Sequence, residues 1–248
     1  MIQIIGLKKM PLVKEGDNIG DLIVKAAKQD GVQLENDDVI VVAQKIVSKA
    51  EGNVVNLASV VPSPLAERIA KMSDKDPRHV EAILKETKSI VRMREAHLIV
   101  ETHHGLVCAN AGVDRSNIDG EESVVLLPVD PDRSAREIRA RIRKLTGVDL
   151  GVIVSDTFGR AWRIGQVNVA IGVDGLKAIA DYRGSKDMFG HVLNVTQMAV
   201  ADELASAAEL VMRKSDGIPV AIVRGFDYPK GSGSARDLIR PREEDLFR

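Results

Sequence analysis

Val148-Asp149-Leu150-Gly151-Val152-Ile153-Val154-Ser155-Asp156-Thr157-Phe158-Gly159-Arg160 is the stretch on which the fold class turns. Val148 to Val154 reads as a strand. A polar, glycine-bearing segment follows it, and Val167 to Val173 reads as another strand. On the N-terminal side, Gly147 closes a basic helix that Asp132 or Ser134 caps and that runs to about Leu145. Ser123 to Pro128 is a further strand. Strands and helices thus mix without a regular βαβ rhythm, which favours an α+β fold over a doubly wound sheet.

Working outward, Ile2 to Ile5 is a short strand, and Lys8 to Asp17, with Pro11 and Gly16, is a loop. Ile19, Leu22, Ile23, Ala26 and Ala27 form the apolar stripe of a helix that Gly31 ends. Val39 to Ala43 is a continuous apolar run expected to be a buried strand. Gln44, Lys45, Ser48 and Lys49 come directly after it. Pro64 to Met72 and Asp76–Pro77 to about Thr87 read as helices with proline in the first turn. Ile90 to Met93, His97 to Thr102 and Leu106 to Ala109 read as strands. Asn110 to Asn117 is turn chemistry directly after a strand. Val195 to Met212 is an Ala-rich helix, Pro219 to Val223 the last clear strand, and Gly231 to Ser234 a flexible turn. There is no internal repeat and no low-complexity tract.

The 248 residues fit one large domain or two small ones. Hydrophobic residues at 44% build a core, and charged residues at 29% cover it, which argues against disorder and membrane insertion. With aromatics at only 3%, the core must be aliphatic, and a base-stacking platform for single-stranded nucleic acid is not expected. The formal net charge of -1 provides no general field for a polyanion, although a local basic pocket remains open. Cys108 is the only cysteine, so neither an intramolecular disulfide nor a Cys-based zinc site can form. The expected home is a reducing cytoplasm. No basic leader with a long apolar run opens the chain, and no apolar run approaches the roughly 18 residues of a membrane helix.

Two aspartates share a local setting. Asp114 follows an apolar strand and a glycine turn; Asp156 is expected at the end of one, with Thr157 and Gly159 after it. Carboxylates at strand ends can aim at a crevice, and hard oxygen donors suit Mg²⁺ or Mn²⁺. Both could equally cap helices or turns, the commoner use of such residues. Lys45 and Lys49, four apart, would share one face of a helical turn. With Lys14 in the early loop and Arg160 and Arg163 after Asp156, they could gather phosphate oxygens or simply be solvated.

No phosphate-binding P-loop, G-x-S-x-G elbow or H-E-x-x-H motif is present, and Gly231 and Gly233 make only a fragment of a Gly-rich loop. His103 and His104, if on a strand, point to opposite faces and would not share an ion. Cys108, inside an apolar strand, reads as a buried small hydrophobe. Trp162 fits either a core or a pocket wall.

Gln44-Lys45-Ile46-Val47-Ser48-Lys49-Ala50-Glu51-Gly52, Cys108-Ala109-Asn110-Ala111-Gly112-Val113-Asp114-Arg115-Ser116-Asn117 and Ser155-Asp156-Thr157-Phe158-Gly159-Arg160, taken together, resemble the signature segments of the coenzyme F-420 gamma-glutamyl ligase family. The likeness runs in order from Gly6-Leu7 through Ala201-Asp202-Glu203-Leu204-Ala205 to Arg240–Arg248, essentially the whole chain. It departs at Gln44, where the family often has Ser, and at Arg213, where it often has Gly.

The resemblance implies a GTP-dependent ligase that attaches L-glutamate to the lactyl carboxylate of a deazaflavin coenzyme precursor through an acyl phosphate. A second glutamate would be joined through the γ-carboxyl of the first. It implies Mg²⁺ or Mn²⁺, stimulation by K⁺, and a homodimer of a family-specific α+β fold. That fold has mixed, largely antiparallel sheets with packed helices, as one 1–248 unit or two intertwined subdomains. By motif match, Asp114, Asp156 and Thr157 would take the metal. Pro11, Leu12, Val13, Lys14, Gln44, Lys45, Lys49, Asn117 and the segment Met212, Arg213, Lys214 and Ser215 would face the nucleotide. Arg160, Arg163 and His191 are candidate cations for the acid substrates. Neither nucleic acid nor membrane is an expected partner. The rival expectations are a deazaflavin- or flavin-using oxidoreductase and a non-catalytic nucleotide-binding protein, and no dinucleotide fingerprint follows the first strand.

Overall fold

The computed structural model describes residues 1–95, 97–118 and 121–247, with the side chains of residues 116–118 and 121 not described. In chain order the elements are β1 (Gln3–Gly6), α1 (Ile19–Gln29), β2 (Val39–Ala43), α2 (Gln44–Ala50), β3 (Val54–Asn56), α3 (Pro64–Ser73), α4 (Pro77–Lys85), β4 (Thr87–Arg94), β5 (His97–Thr102), β6 (Val107–Ala109), β7 (Asp114–Ile118), β8 (Glu121–Val125), α5 (Pro131–Thr146), β9 (Gly151–Arg160), β10 (Arg163–Asp174), β11 (Ala180–Asp181), β12 (Gln197–Met198), α6 (Val200–Met212) and β13 (Val220–Arg224). The fold is α+β, and its sheets are mostly antiparallel, as expected.

The central sheet has the order β1-β13-β2-β9-β10. Every neighbouring pair in it is antiparallel except β2 and β9, which run parallel from Val39↔Gly151 to Ala43↔Ser155. The period-2 alternation of a strand divides its residues between two cores. Ile40, Val42, Val152, Val154, Val220 and Ile222 face α1 and α5. Val39, Val41, Ile153, Ala221 and Val223 face α6. The continuous apolar runs are therefore explained: these strands are covered on both sides. Each fully buried Val or Ile contributes about 1.5–3 kcal/mol of transfer free energy.

The connection from β2 to its parallel neighbour β9 holds α2 to α5 and β3 to β8. Two three-stranded sheets, β3-β8-β7 and β4-β5-β6, stand there. Leu57, Ile83, Leu98, Val100, Val113 and Val124 form a separate core beneath them, and Ile69, Ala70 and Val80 a smaller one between α3 and α4.

Several sequence expectations need correction. The cap of α5 is neither Asp132 nor Ser134 but Asp130, whose Oδ1 accepts from the Arg133 N–H at 3.0 Å and which leaves Pro131 to open the helix. Asp132 is used instead as a clasp: its Oδ1 accepts from the backbone N–H groups of Val173 (2.8 Å) and Ala235 (3.0 Å). The turn after β6 is confined to Asn110–Gly112, and Asp114 already begins β7. β9 continues past Val154 to Arg160, because its second half pairs with β10 in a long hairpin. α6 starts only at Val200, since Gln197 and Met198 pair with β11. One glycine governs the packing of α5: a Cβ on Gly172 would lie 2.2 Å from the Pro131 carbonyl oxygen, so only glycine admits the helix start against the bulge in β10.

Candidate functional site

β2 ends at Ala43, level with Ser155 of β9. Beyond that level β9 walks on alone with β10, and a cleft of about 1120 Å³ opens over the end of β2. Its walls come from distant parts of the chain: the Met10–Glu15 loop, α2, the β6–β7 turn, the second half of β9 and the segment after α6. Asp114, Asp156 and Thr157 all line it, as do Pro11, Leu12, Val13, Lys14, Gln44, Lys45, Lys49, Met212, Arg213 and Lys214.

Asp156 is half-buried in the cleft wall. Burial pushes its carboxyl up to about 7, and the Asp114 carboxylate adds to the rise, while the Thr157 N–H, Lys214 and Lys45 oppose it. The two carboxylates are thus electrostatic neighbours. Lys45 Nζ stands 3.2 Å from Asp114 Oδ2. Next along β9, Thr157 Oγ1 donates to Asn168 Oδ1 at 2.7 Å, and Lys214 Nζ donates to Thr157 Oγ1 at 2.6 Å and to Asn168 Oδ1 at 3.2 Å; all three residues line the same cleft. Lys214 also lies 3.9 Å from Glu209. The capping alternative for Asp156 fails, because it stands mid-strand and caps nothing.

Lys45 and Lys49 share the short helix α2, as their spacing demanded. The Gln44 side chain is buried at 2% exposure, and its Oε1 accepts from Ser48 Oγ at 3.0 Å. Ser155, next to Asp156 but fully buried, has an Oγ with no hydrogen-bond partner among the described residues, an orphaned polar atom in the cleft wall. Ser155 and Asn168 were not singled out from sequence; Ser155 sits in a quoted motif, but its isolation is a tertiary fact.

Among the described residues no cluster of three His, Cys, Asp or Glu side chains could hold a metal by itself. Two carboxylates and a threonine hydroxyl do fit a hard divalent cation that completes its shell with phosphate oxygens and water, the usual habit of Mg²⁺. The raised Asp156 carboxyl beside a second carboxylate supports the same reading, since an added cation would favour both charges.

Some candidates lie elsewhere. Ser215 is outside the cleft, with its hydroxyl on Asp216 Oδ1 at 3.1 Å. The Asn117 side chain is outside what is described, although its backbone pairs with Glu122. Arg160 and Arg163 stand at the exposed tip of the β9–β10 hairpin, and His191 lies 3.4 Å from Asp187, all away from the cleft walls. Trp162 is neither core nor cleft wall: it is 88% exposed at the hairpin tip and tilted against Phe247, centroids 6.0 Å apart. His103 and His104 sit in a turn rather than a strand, and each ring meets a different carbonyl, Lys85 and Pro128 respectively. The Gly231–Ser234 turn packs toward Lys177 and Asp132, not toward the cleft. Cys108 is buried, and burial with the nearby Asp156 charge pushes its thiol up to about 12, which leaves it inert as a nucleophile.

The family model described as F420-0:Gamma-glutamyl ligase matches residues 8–225. A protein of Methanocaldococcus jannaschii named coenzyme F420:L-glutamate ligase is 48% identical over 100% of this chain and 97% of its own length. The proteins of that name from Methanothermobacter thermautotrophicus and Archaeoglobus fulgidus are 48% and 42% identical, each over 100% of this chain and 99% and 96% of theirs. No helix among the described residues is long and apolar enough to cross a membrane. With its signature segments assembled around one cleft and its whole length matched, the chain belongs to the F420-0:gamma-glutamyl ligase family.

Proposed function

We propose that this chain is a GTP-dependent ligase that joins L-glutamate to the lactyl carboxylate of the deazaflavin coenzyme precursor, and then a further glutamate through a γ-carboxyl. The observation that carries it is the convergence of two neighbouring aspartates with Lys14, Lys45, Lys49 and Lys214 on one cleft. The names of the matched relatives support the acid and the amino-acid substrate.

A carboxylate and an amine do not condense readily near pH 7. Transfer of the γ-phosphoryl of GTP to a carboxylate oxygen releases GDP and leaves an acyl phosphate. The glutamate amine then attacks the acyl carbon, the carbon–oxygen bond to phosphate breaks, and the amine gives up a proton. Phosphoryl transfer is governed by positioning and charge neutralisation. Lys14, Lys45 and Lys49 present ammonium groups to the phosphates from the loop and α2, and Lys214 does so from the segment after α6. Lys45 and Lys214 rest on Asp114 and Thr157. Asp114, Asp156 and Thr157 would hold Mg²⁺ or Mn²⁺, which supplies charge neutralisation at the phosphates when bound. Cys108, Val113 and Ala43 give the cleft a stretch of apolar wall.

The decisive experiment incubates the protein with precursor, glutamate, Mn²⁺ and either GTP or ATP, and weighs the product. Gain of glutamate residues with GTP alone is expected; a redox change in the deazaflavin, or no mass gain, would overturn the reading. A homodimer is part of the proposal. It is supported by the apolar surface at Trp162 and Ile164 on the hairpin tip and at Met188, Phe189 and Val195, and light scattering tests it.

A further inference from the structure

Asn110 lines the cleft four residues before Asp114 and is held from behind by Lys75. Lys75 belongs to the short link between α3 and α4, and its Nζ donates to Asn110 Oδ1 at 2.7 Å. An ammonium group has donors and no acceptor. The contact therefore fixes which end of the amide is oxygen and leaves the Nδ2 hydrogens on the other side. Among the described residues those hydrogens are donated to nothing.

The backbone is held as firmly as the side chain. Asn110, Ala111 and Gly112 all have positive φ (53°, 55° and 68°), a conformation that costs energy at alanine in particular. Ala111 is buried in the core under the small sheets, a Cβ on Gly112 would strike the Leu127 side chain at 2.8 Å, and the His79 ring meets the Val113 backbone. A turn fixed at this cost, with an amide locked in one of its two flips, is a prepared donor rather than a solvated loop.

The geometry points to Asn110 as a binding residue whose Nδ2 group donates to an anionic oxygen of the bound reactants, with Lys75 as the positioning residue that sets the orientation. The shared chemistry is a phosphate oxygen of the nucleotide or a carboxylate oxygen of an acid substrate. This inference rests on the proposed ligase reading for the names of those reactants, and on the structure alone for the donor.

The test uses Asn110→Asp in the full chain. The substitution keeps an oxygen for Lys75, removes the donor and places a negative charge where an anion would bind. The expected result is a loss of about tenfold or more in affinity for one anionic ligand at an unchanged thermal midpoint. GTP and glutamate are titrated separately by calorimetry, and KM for the precursor is measured by product mass. A weaker GTP titration assigns the donor to phosphate; a higher KM or a weaker glutamate titration assigns it to carboxylate. Lys75→Met should give a smaller loss that Lys75→Arg restores, whereas a merely structural lysine would move the midpoint and not the affinity. Wild-type and variant titrations within twofold of each other, with both proteins folded, would overturn the inference. The titrations need no turnover, so a wild type that binds GTP but makes no amide would sink the ligase reading and leave this one measurable. If Asn110→Asp does not fold, Asn110→Gly, which suits positive φ, is judged by the same criterion.

Discussion

Asp38 and Asp156 stand at opposite ends of the same parallel strand pair and are treated in opposite ways. Asp38, just before β2, is 1% exposed and fully answered: Arg224 reaches it with Nε and Nη2, both at 2.8 Å, and the Glu35 N–H donates to it at 2.9 Å. Arg224 in turn is completed by Glu35 Oε1 at 2.6 Å and the Gln33 carbonyl. Asp156, beyond the end of β2, has no arginine among the described residues; its close company is the Asp114 carboxylate and two lysines that are themselves engaged by Asp114 and by Thr157. A buried charge that the protein itself satisfies is architecture. One left short of positive charge is a place for something the protein does not contain.

The largest effect should come from neutralising the needy end. Asp114→Asn and Asp156→Asn are expected to stay folded and to lose roughly 10³-fold or more in metal-dependent GTP turnover. Full turnover in both at low Mg²⁺ would erase the contrast. At the other end, Asp38→Ala should cost about 3 kcal/mol in denaturant unfolding, because it removes the buried carboxylate that answers two Arg224 nitrogens and the Glu35 N–H, while the activity of folded molecules is kept. A loss of activity without loss of stability would show that the two ends are not separable. Lys49→Ala should weaken GTP binding about tenfold, roughly one charge-assisted hydrogen bond, and an unchanged dissociation constant would remove Lys49 from the phosphate site.

Asp202 provides the smallest and sharpest test. It is partly buried with one donor, the Ala170 N–H at 2.8 Å, and burial raises its carboxyl above the usual range while that bond lowers it. A carboxyl raised on folding binds its proton more tightly in the native state. It therefore costs stability once the pH rises above the ordinary value of 3.8. Asp202→Asn keeps the acceptor for Ala170, so it should raise the thermal midpoint slightly at pH 7, with the gain shrinking as pH falls toward 4. A gain that does not depend on pH would contradict an electrostatic origin.

What the sequence made legible follows from how local the signal was. The α1 stripe and the β2 run were readable to the residue, because periodicity and an unbroken apolar run are local properties. The Lys45–Lys49 face followed from helical spacing alone. The β9 extension was missed because Ser155 to Arg160 carries glycine and polar residues, and only pairing with β10 makes it a strand. Asp130 was missed as a cap because Asp130, Asp132 and Ser134 offer three equivalent acceptors to one helix start. At the site, each carboxylate alone resembled a cap; that Asp114 and Asp156 face one another across a cleft depends on strands joined by long connections. Lys75 gave no local cue at all, since a lysine in a helix link is ordinarily solvated.

The strand order has a consequence for synthesis. β2 occupies the middle of the central sheet, yet its antiparallel partner β13 comes at Val220–Arg224, far later in the chain. At ~5–20 residues per second, roughly ten to forty seconds separate the emergence of these two strands. For that interval the nascent chain carries an aliphatic strand with at least one edge unclaimed, and both until β9 is made, the kind of segment that chaperones hold and that aggregation competes for. Lys214, on the segment just before β13, arrives only at the end of that wait, so a nascent chain that has not reached it has an incomplete cleft.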